Sequence, residues 1–348
     1  MKKKIFSSSY NFVKINKKYY VPIILKTVIM ALTVLFLMPA IFAAELLSPQ
    51  AATAAEKSVI VTFYPLYVHT LNICGDKIKT EILLPPGVSI HDFNCKPSDM
   101  KKIADANLMI VNGASLDDFA LKIARNYTDL KIADASYGVE LISSDGAACE
   151  HAGHNHAHHN EDAAKNGEEL YDPHTWLSMK NAVIQVNNIL NALCEIDTEN
   201  AEYYKQNAAQ YIKKIQYTHK RMAEKLSPFK GSKFIVFHGS FAYFARDYGL
   251  TQDSIADVFG NAPKPSKIKE IYDTIKKENI KFLVSEPGYQ NKEIKALSEQ
   301  YSLEIIEVDP MGLYKPSGDI KNYYIDVSNS NADILASAFK KTGDKTNK

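Results

Sequence analysis

The sequence lacks several features that would mark a specialised class of protein. Tryptophan occurs once and cysteine four times in 348 residues, which excludes a small scaffold held together by disulfides. The formal net charge is only +1, so no strongly basic surface is available for nucleic acid. With 46% hydrophobic and 23% charged residues, the chain has the composition of a folded protein rather than a disordered one. Its length is enough for two domains of about 150 residues each.

Long apolar runs are absent except for one near the N-terminus. Residues 27–44 are uncharged and mostly apolar, and they follow a leader that contains seven lysines and no acidic residue. This arrangement predicts a secretory signal peptide and short leader over residues 1–55, with small residues for cleavage at Ile41–Ala43 or Ala52–Ala54. A retained membrane anchor is the alternative, because 18 residues are near the lower limit for a span. No cysteine closely follows the apolar run, so we expect a protein free in the periplasm rather than a lipid-anchored one.

The rest of the chain alternates between short β-branched runs and segments with helical periodicity. Before residue 143 the pattern predicts strands at 58–63, 79–84 and 108–111, with a helix over 64–74 and another that begins near Pro97 and is capped by Ser98. A polar insert follows at about 143–169. The alternation returns late in the chain, with predicted strands at 234–237, 282–285 and 304–308.

Two amphipathic helices separate these halves. The first is predicted over 179–193 and the second over 200–226, where His219 would complete the apolar spacing. The sequence therefore predicts an α/β fold with two lobes, each a parallel sheet with flanking helices, joined by a long rigid helix. We place the N-terminal lobe at 56–198, the connecting helix at 199–227 and the C-terminal lobe at 228–348. The tail from Ser330 to Lys348 ends in a polar, lysine-bearing stretch, and we expect that stretch to fray.

Five of the ten histidines are crowded into nine residues of the polar insert. Such a tract indicates capture of Zn, Cu or Ni. The alternative is a neutral, solvated linker that binds no metal. Cys149 lies beside the tract and could add a thiolate ligand. Because the insert lacks apolar residues, we expect binding there to be of low affinity. These auxiliary ligands are His151, His154, His156, His158 and His159.

Four other polar residues lie at the ends of predicted strands or in the loops beside them: His91, His174, His238 and Asp309. Ligands of open α/β sheets bind outside the carboxyl ends of the strands, and three imidazoles with a carboxylate or water form a tetrahedral zinc site. Each histidine alone would more simply be a hydrogen-bonded structural residue. Together, at matching positions of the two predicted sheets, they favour metal binding, although spacing by itself does not prove that they converge. His69 and His219 lie on apolar helix faces and are interpreted as packing residues.

Four motifs carry a resemblance to a known family. They are LLPPGVSIHDFNCKPSDMKKIADANLMIVNG, DPHTWLS, FIVFHGSFAYFARDYGL and VSEPGYQNKEIKALSEQYSLEIIEVDPMG. Over about residues 58–312 the sequence resembles the metal-binding solute-binding proteins of ABC importers, and most closely their ZnuA-like zinc branch. The resemblance implies that His91, His174, His238 and Asp309 bind the transported ion between two lobes.

The third histidine separates the branches of that family. Manganese and iron members usually carry Glu where this chain has His238, and a third imidazole suits Zn²⁺ better than Mn²⁺. Some zinc members have Glu just before the first histidine, where this chain has Ile90, so the fourth ligand stays open between Asp309 and water. The four cysteines allow three pairings and do not match the disulfide of the best-known zinc members.

The resemblance implies a binding component, not an enzyme, that delivers Zn²⁺ to a membrane permease. We expect a monomer that does not bind nucleic acid. A manganese or iron carrier of the same fold is the nearest alternative. A zinc hydrolase is another, with Glu286 as the one candidate general base. An adhesin or surface metal buffer without a permease is the third.

Overall fold

The N-terminal lobe is built on a four-stranded parallel sheet. The computed structural model describes residues 57–85, 87–88, 93, 95–144, 170–288, 292–312 and 318–343. The strand order is β2-β1-β3-β4, and every neighbouring pair is parallel. Its strands are β1 (Ser58–Val61), β2 (Lys79–Ile82), β3 (Leu108–Val111) and β4 (Lys131–Asp134), and its helices are α1 (Tyr64–Cys74), α2 (Pro97–Ala104) and α3 (Asp118–Ala124).

The C-terminal lobe repeats this arrangement. Its sheet has the order β6-β5-β7-β8 and is also parallel throughout. In both sheets the first strand of the lobe lies inside, so the chain reverses its winding beside it and leaves a crevice at the carboxyl ends. The strands are β5 (Lys233–His238), β6 (Thr251–Ala256), β7 (Phe282–Ser285) and β8 (Glu304–Glu307), and the helices between them are α6 (Ala242–Tyr248), α7 (Pro265–Lys277) and α8 (Lys292–Tyr301).

Three long helices lie against both lobes: α4 (Met179–Ile196), α5 (Ala201–Leu226) and α9 (Tyr323–Lys341). The 26-residue α5 spans about 40 Å at about 1.5 Å per residue. Side chains of these helices join strand residues of both sheets in one hydrophobic cluster. The prediction of a two-lobed α/β fold with a long connecting helix is confirmed, while the boundaries at 198–199 and 227–228 stay predictions. No helix of the described residues is both long and apolar enough to cross a membrane.

Local details correct three of the predictions. Helix α2 begins at Pro97 and is capped by Lys96, whose backbone N–H donates to Asp99 Oδ2 at 3.0 Å, so Ser98 is not the cap. On α5 the series of buried residues continues at Thr218 and not at His219. His219 is half-buried, and its Nδ1 lies 3.1 Å from the hydroxyl of Tyr248. Two strands, β4 and β6, were not expected, because they are edge strands with only partial burial.

Most of the tail from Ser330 is helical, and the expected fraying of its polar end stays a prediction because residues 344–348 lie outside the described residues. Helix α9 runs to Lys341, and Leu335 and Phe339 on it are fully buried. The ring of Phe339 stacks on Phe229 with centroids 5.4 Å apart and meets Phe282 edge-on at 5.1 Å. Because these contacts join α9 to the C-terminal sheet, its polar residues are the exposed face of a packed helix rather than a tail.

His69 on α1 is a packing residue, as predicted. It is fully buried, its Nδ1 lies 3.0 Å from the Tyr211 hydroxyl, and its ring packs edge-on against Tyr324 at 4.5 Å. Burial lowers the pKa of His69 to about 3. The buried ring therefore stays neutral at pH values where the unfolded chain is protonated.

We expect His69 to make the protein less stable in mild acid. Between pH 6.5 and 3 the unfolded state binds a proton that the folded state excludes, so the free energy of unfolding decreases as pH falls, by up to about 1.4 kcal/mol per pH unit. Urea unfolding at pH 7 and pH 5 measures this. His69→Phe, which retains a ring against Tyr324, should lose that part of the pH dependence. An unchanged slope in His69→Phe would contradict the assignment.

Candidate functional site

His174 lies in a tight turn that joins the polar insert to α4. The turn contains a short 3₁₀ segment, Thr175–Leu177, and the His174 side chain is almost fully buried. Its Nδ1 lies 2.8 Å from Asp172 Oδ1, and the same oxygen accepts the His174 backbone N–H at 2.9 Å. A carboxylate at one ring nitrogen, here Nδ1, is the usual arrangement of histidines that bind a metal through the other nitrogen.

His238 is the last residue of β5 and lies beside His174. The two imidazole centroids are 4.8 Å apart and their planes are inclined by 74°. His238 Nδ1 lies 3.1 Å from Glu286 Oε1, and its Nε2 lies 3.0 Å from the backbone oxygen of Val258. The end of β5 and Glu286, which follows β7, flank the crevice of the C-terminal sheet. The fold therefore brings one imidazole from each half of the sequence to a single place.

The charges around this pair favour different protonation states for the two rings. Burial holds the pKa of His174 well below its usual value, and the positive charge of His238 lowers it further. For His238, burial lowers the pKa, but the hydrogen bond and charge of Glu286 together with the Val258 carbonyl outweigh it and leave the pKa raised. Burial raises the pKa of Asp172 to about 7. His174 therefore favours the neutral form, which is the form that coordinates metals, whereas His238 favours the protonated form more than a free imidazole does.

Asp309 follows β8 and is fixed from several sides. Its Oδ1 accepts the backbone N–H of Met311 at 2.7 Å and its Oδ2 accepts the Tyr323 hydroxyl at 3.4 Å. Its backbone exchanges two hydrogen bonds with the Asn331 side chain, at 3.0 and 2.7 Å. Burial raises the pKa of Asp309, as does the charge of Glu286. A carboxylate has about four acceptor positions, so these two bonds leave capacity for a metal ion.

The structure describes only part of the predicted ligand set. His91 and the tract residues His151, His154, His156, His158 and His159 lie outside the described residues, as does Cys149. Within the described part, no group of three or more His, Cys, Asp or Glu side chains is placed to share a metal ion. The four-residue site therefore stays a prediction, of which the His174–His238 pair is the portion brought together. The described cysteines, Cys74, Cys95 and Cys194, are free thiols.

Two residues were missed as partners of the imidazoles. Asp172 lies in the DPHTW motif without a predicted role, and the expectation for Glu286 is a general base or, more simply, a lobe-packing or salt-bridging residue, neither of which names His238 as its partner. The signals were present in the sequence: an acid two residues before His174, and a second acid directly after the strand that neighbours β5. Glu286 contacts Nδ1 of His238, so it holds that ring rather than standing ready to activate water.

The N-terminal sheet supports the His174 turn through a buried polar cluster. Asn112, at the end of β3, donates from Nδ2 to the Pro173 backbone oxygen at 2.9 Å. Asp117 anchors this end of the strand, since its carboxylate accepts the Thr62 hydroxyl at 2.7 Å and the Asn112 backbone N–H at 2.5 Å. Gly113 adopts φ +75°, and a Cβ there would collide with the Asp134 carboxylate. The carboxyl ends of β1 and β3 therefore form a rigid base for the turn.

Two parallel α/β lobes bridged by long helices, with the His174 and His238 rings side by side, form the architecture of two-lobed solute-binding proteins. Residues 59–338 match the family model described as "ZnuA: Zinc-uptake complex component A periplasmic". The chain belongs to this family.

Individual relatives agree with this assignment. The zinc-binding protein AdcA of Streptococcus pyogenes serotype M3 is 30% identical over 317 residues, covering 87% of this chain and 60% of the relative. The chain thus spans about 60% of that relative's length. A putative metal-binding protein of Treponema pallidum is 31% identical over 269 residues, covering 76% of this chain and 82% of the relative. A Zn(II)-bound mutant variant of AdcAII of Streptococcus pneumoniae superposes with a TM-score of 0.69 at 25% identity, covering 81% of this chain and 98% of the other.

Proposed function

We propose that the protein captures Zn²⁺ between its lobes as the extracytoplasmic binding component of an ABC importer. The observation that carries this proposal is the His174–His238 pair, with centroids 4.8 Å apart and each Nδ1 next to a carboxylate. Two imidazoles supported in this way are a strong half-site for zinc. The names of the relatives, zinc-binding AdcA among them, support the same ion. The protein is a binding component, not an enzyme.

The proposed ligands are His91, His174, His238 and Asp309, with water as the alternative to Asp309. To coordinate an ion, His238 has to give up the contact at one of its ring nitrogens. We expect it to keep Glu286 at Nδ1 and to release the Val258 carbonyl from Nε2, because the charged partner is the stronger one. Asp309 would supply a lone pair of its carboxylate that neither Met311 nor Tyr323 uses.

The test is metal content and selectivity of the purified mature protein. We expect one tightly bound Zn²⁺ per chain and retention of Zn²⁺ when Mn²⁺ is added in large excess, because imidazole ligands favour the softer ion. Displacement of zinc by equimolar Mn²⁺ would instead support the manganese carrier. Mass spectrometry of the secreted protein tests the proposed export to the periplasm and cleavage within residues 41–55. Co-purification with a permease, and a monomeric mass without it, test the proposed partner and state.

The histidine tract is proposed as an auxiliary collector of low affinity. The described residues on either side of it are held together, since Ser143 and Tyr171 form an antiparallel bridge and the Asp172 N–H donates to the Ile142 oxygen at 2.8 Å. The insert therefore starts and ends beside the His174 turn. A tether of this kind raises the local concentration of captured zinc near the cleft.

Deletion of residues 150–162 is expected to remove the weak zinc equivalents and leave one tight site. The tight site survives because its ligands lie outside the deleted segment. Isothermal titration of the deletion variant and of the full chain, with equal protein concentrations, measures both classes of site. Loss of the tight site on deletion would mean that the tract itself is the main place of binding.

A further inference from the structure

The turn that carries His174 is hydrogen-bonded to both lobes at once. On the N-terminal side, Asn112 donates to the Pro173 oxygen at 2.9 Å and its Oδ1 accepts the Thr175 hydroxyl at 3.2 Å. These contacts fix the turn to the end of β3. Taken alone, they would make His174 a part of the N-terminal lobe.

Contacts with the C-terminal lobe are as extensive. Tyr243 is a fully buried residue of α6. Its hydroxyl donates to the backbone oxygen of Asp172 at 2.7 Å and accepts the backbone N–H of Ile142 at 3.1 Å. One hydroxyl thereby ties down both chain segments that flank the polar insert. The ring of Tyr243 also packs below Arg246, whose guanidinium carbon lies 5.1 Å from its centroid.

The far end of the turn is held in the same way. Trp176 Nε1 donates to the Pro310 oxygen at 2.8 Å, and the Trp176 backbone oxygen accepts the hydroxyl of Tyr324 at 2.6 Å. Tyr324 lies on α9 and is fully buried. Pro310 follows Asp309 directly, so this contact also links the turn to the predicted carboxylate ligand. The C-terminal lobe therefore holds the turn on both sides of His174.

We infer that Tyr243 and Tyr324 are positioning residues for zinc, and that they set the separation of His174 from His238 by clamping the His174 turn onto the C-terminal lobe. The inference rests on the proposed function. The two hydroxyls contact the turn at the backbone oxygens of Asp172 and Trp176, so we expect both to act through the backbone of the turn. A permease that tilts the lobes would pull on this clamp from the Asn112 side and separate the two imidazoles, which offers a physical route to release.

Tyr243→Phe tests the clamp, and Tyr248→Phe is the matched control. Both tyrosines are buried on α6, but the Tyr248 hydroxyl contacts His219 and Met222 rather than the turn. We expect Tyr243→Phe to raise the zinc dissociation constant at least about tenfold, the lower bound seen when outer partners of metal ligands are removed. Tyr248→Phe should stay within twofold. Chelator competition gives the affinities, and thermal unfolding of the zinc-free proteins compares the folds.

Cobalt absorption supplies a readout that a purely structural role would not move. Co²⁺ bound to wild type should show d–d bands whose position or intensity changes in Tyr243→Phe and not in Tyr248→Phe. Unchanged bands with an affinity within twofold of wild type would overturn the inference, as would equal weakening in both variants. If Tyr243→Phe does not fold, Tyr324→Phe decides by the same criteria. Failure of wild type itself to bind Zn²⁺ or Co²⁺ would instead refute the proposed function.

Discussion

Replacing His238 with alanine is expected to weaken zinc binding by more than about 100-fold, because loss of an outer-shell partner alone costs 10–100-fold. The substitution removes a proposed nitrogen ligand and leaves Glu286 without the ring that it now contacts at 3.1 Å. The Glu286 carboxylate then lies partly buried without its hydrogen-bond partner, which lowers the stability of the site. The fold should survive, because His238 ends its strand and is not part of the large hydrophobic cluster.

His219→Ala is the matched control for this substitution. His219 lies on α5 and, like His238, is half-buried and hydrogen-bonded through Nδ1. Its partner, however, is the hydroxyl of Tyr248 on α6. We expect His219→Ala to bind zinc as wild type does. An affinity of His238→Ala within tenfold of wild type, with unchanged circular dichroism, would show that the zinc site lies elsewhere. Competition with a chromophoric chelator measures the affinities of all three proteins.

Replacing Phe339 with alanine is expected to lower the free energy of unfolding by about 3–5 kcal/mol, the usual cost of removing a buried aromatic side chain. Phe339 is fully buried and contacts rings from three separate segments of the C-terminal lobe: Phe229, Phe234 and Phe282. A cavity at this point would open the contact between α9 and the sheet. Urea unfolding followed by circular dichroism measures the loss.

Lys340→Ala, one residue further along α9, serves as the control. Lys340 is exposed, so its substitution should change stability by no more than about 0.5 kcal/mol. Equal effects of the two substitutions would mean that α9 does not contribute its buried face to the core. A loss below 1 kcal/mol in Phe339→Ala would have the same meaning, since the ring could then not be buried as described.

Most of the fold could be predicted because its central strands and longest helices have strong periodic patterns. The run Leu108–Val111 is buried on both faces and reads as a strand by itself. Helix α5 repeats its buried residues with the helical period. The edge strands β4 and β6 were missed because their sequences, KIAD and TQDSIA, are partly polar. They become strands through hydrogen bonds to β3 and β5, which no local pattern reveals.

The C-terminal helix shows why composition misleads at the end of a chain. From Ser330 onward the sequence contains many polar residues, and nothing local shows that Leu335 and Phe339 have a surface to pack against. That surface is made by residues far away in sequence, including Phe229 and Phe282. The stability of helix α9 comes from burial of its apolar side chains in the tertiary structure rather than from intrinsic helix propensity.

The candidate site, like the fold, could be predicted only in part. The proximity of His174 and His238, whose ring centroids are 4.8 Å apart, could be expected from their places at strand or helix ends together with the family resemblance. The two carboxylates that hold their Nδ1 atoms, Asp172 and Glu286, could not be assigned. A hydrogen bond depends on distances of tenths of an ångström, which spacing along the chain does not specify.

The alternation of strands and helices, the long connecting helix and the family could be predicted from residue types and motifs alone. Each of these depends on residue type and on spacing within a short stretch. Only the tertiary structure decided that the His174 turn is clamped by Tyr243 and Tyr324, that Glu286 holds His238 and that α9 is packed. These features join residues that are 48 to 148 positions apart, and such contacts exist only after the chain has folded.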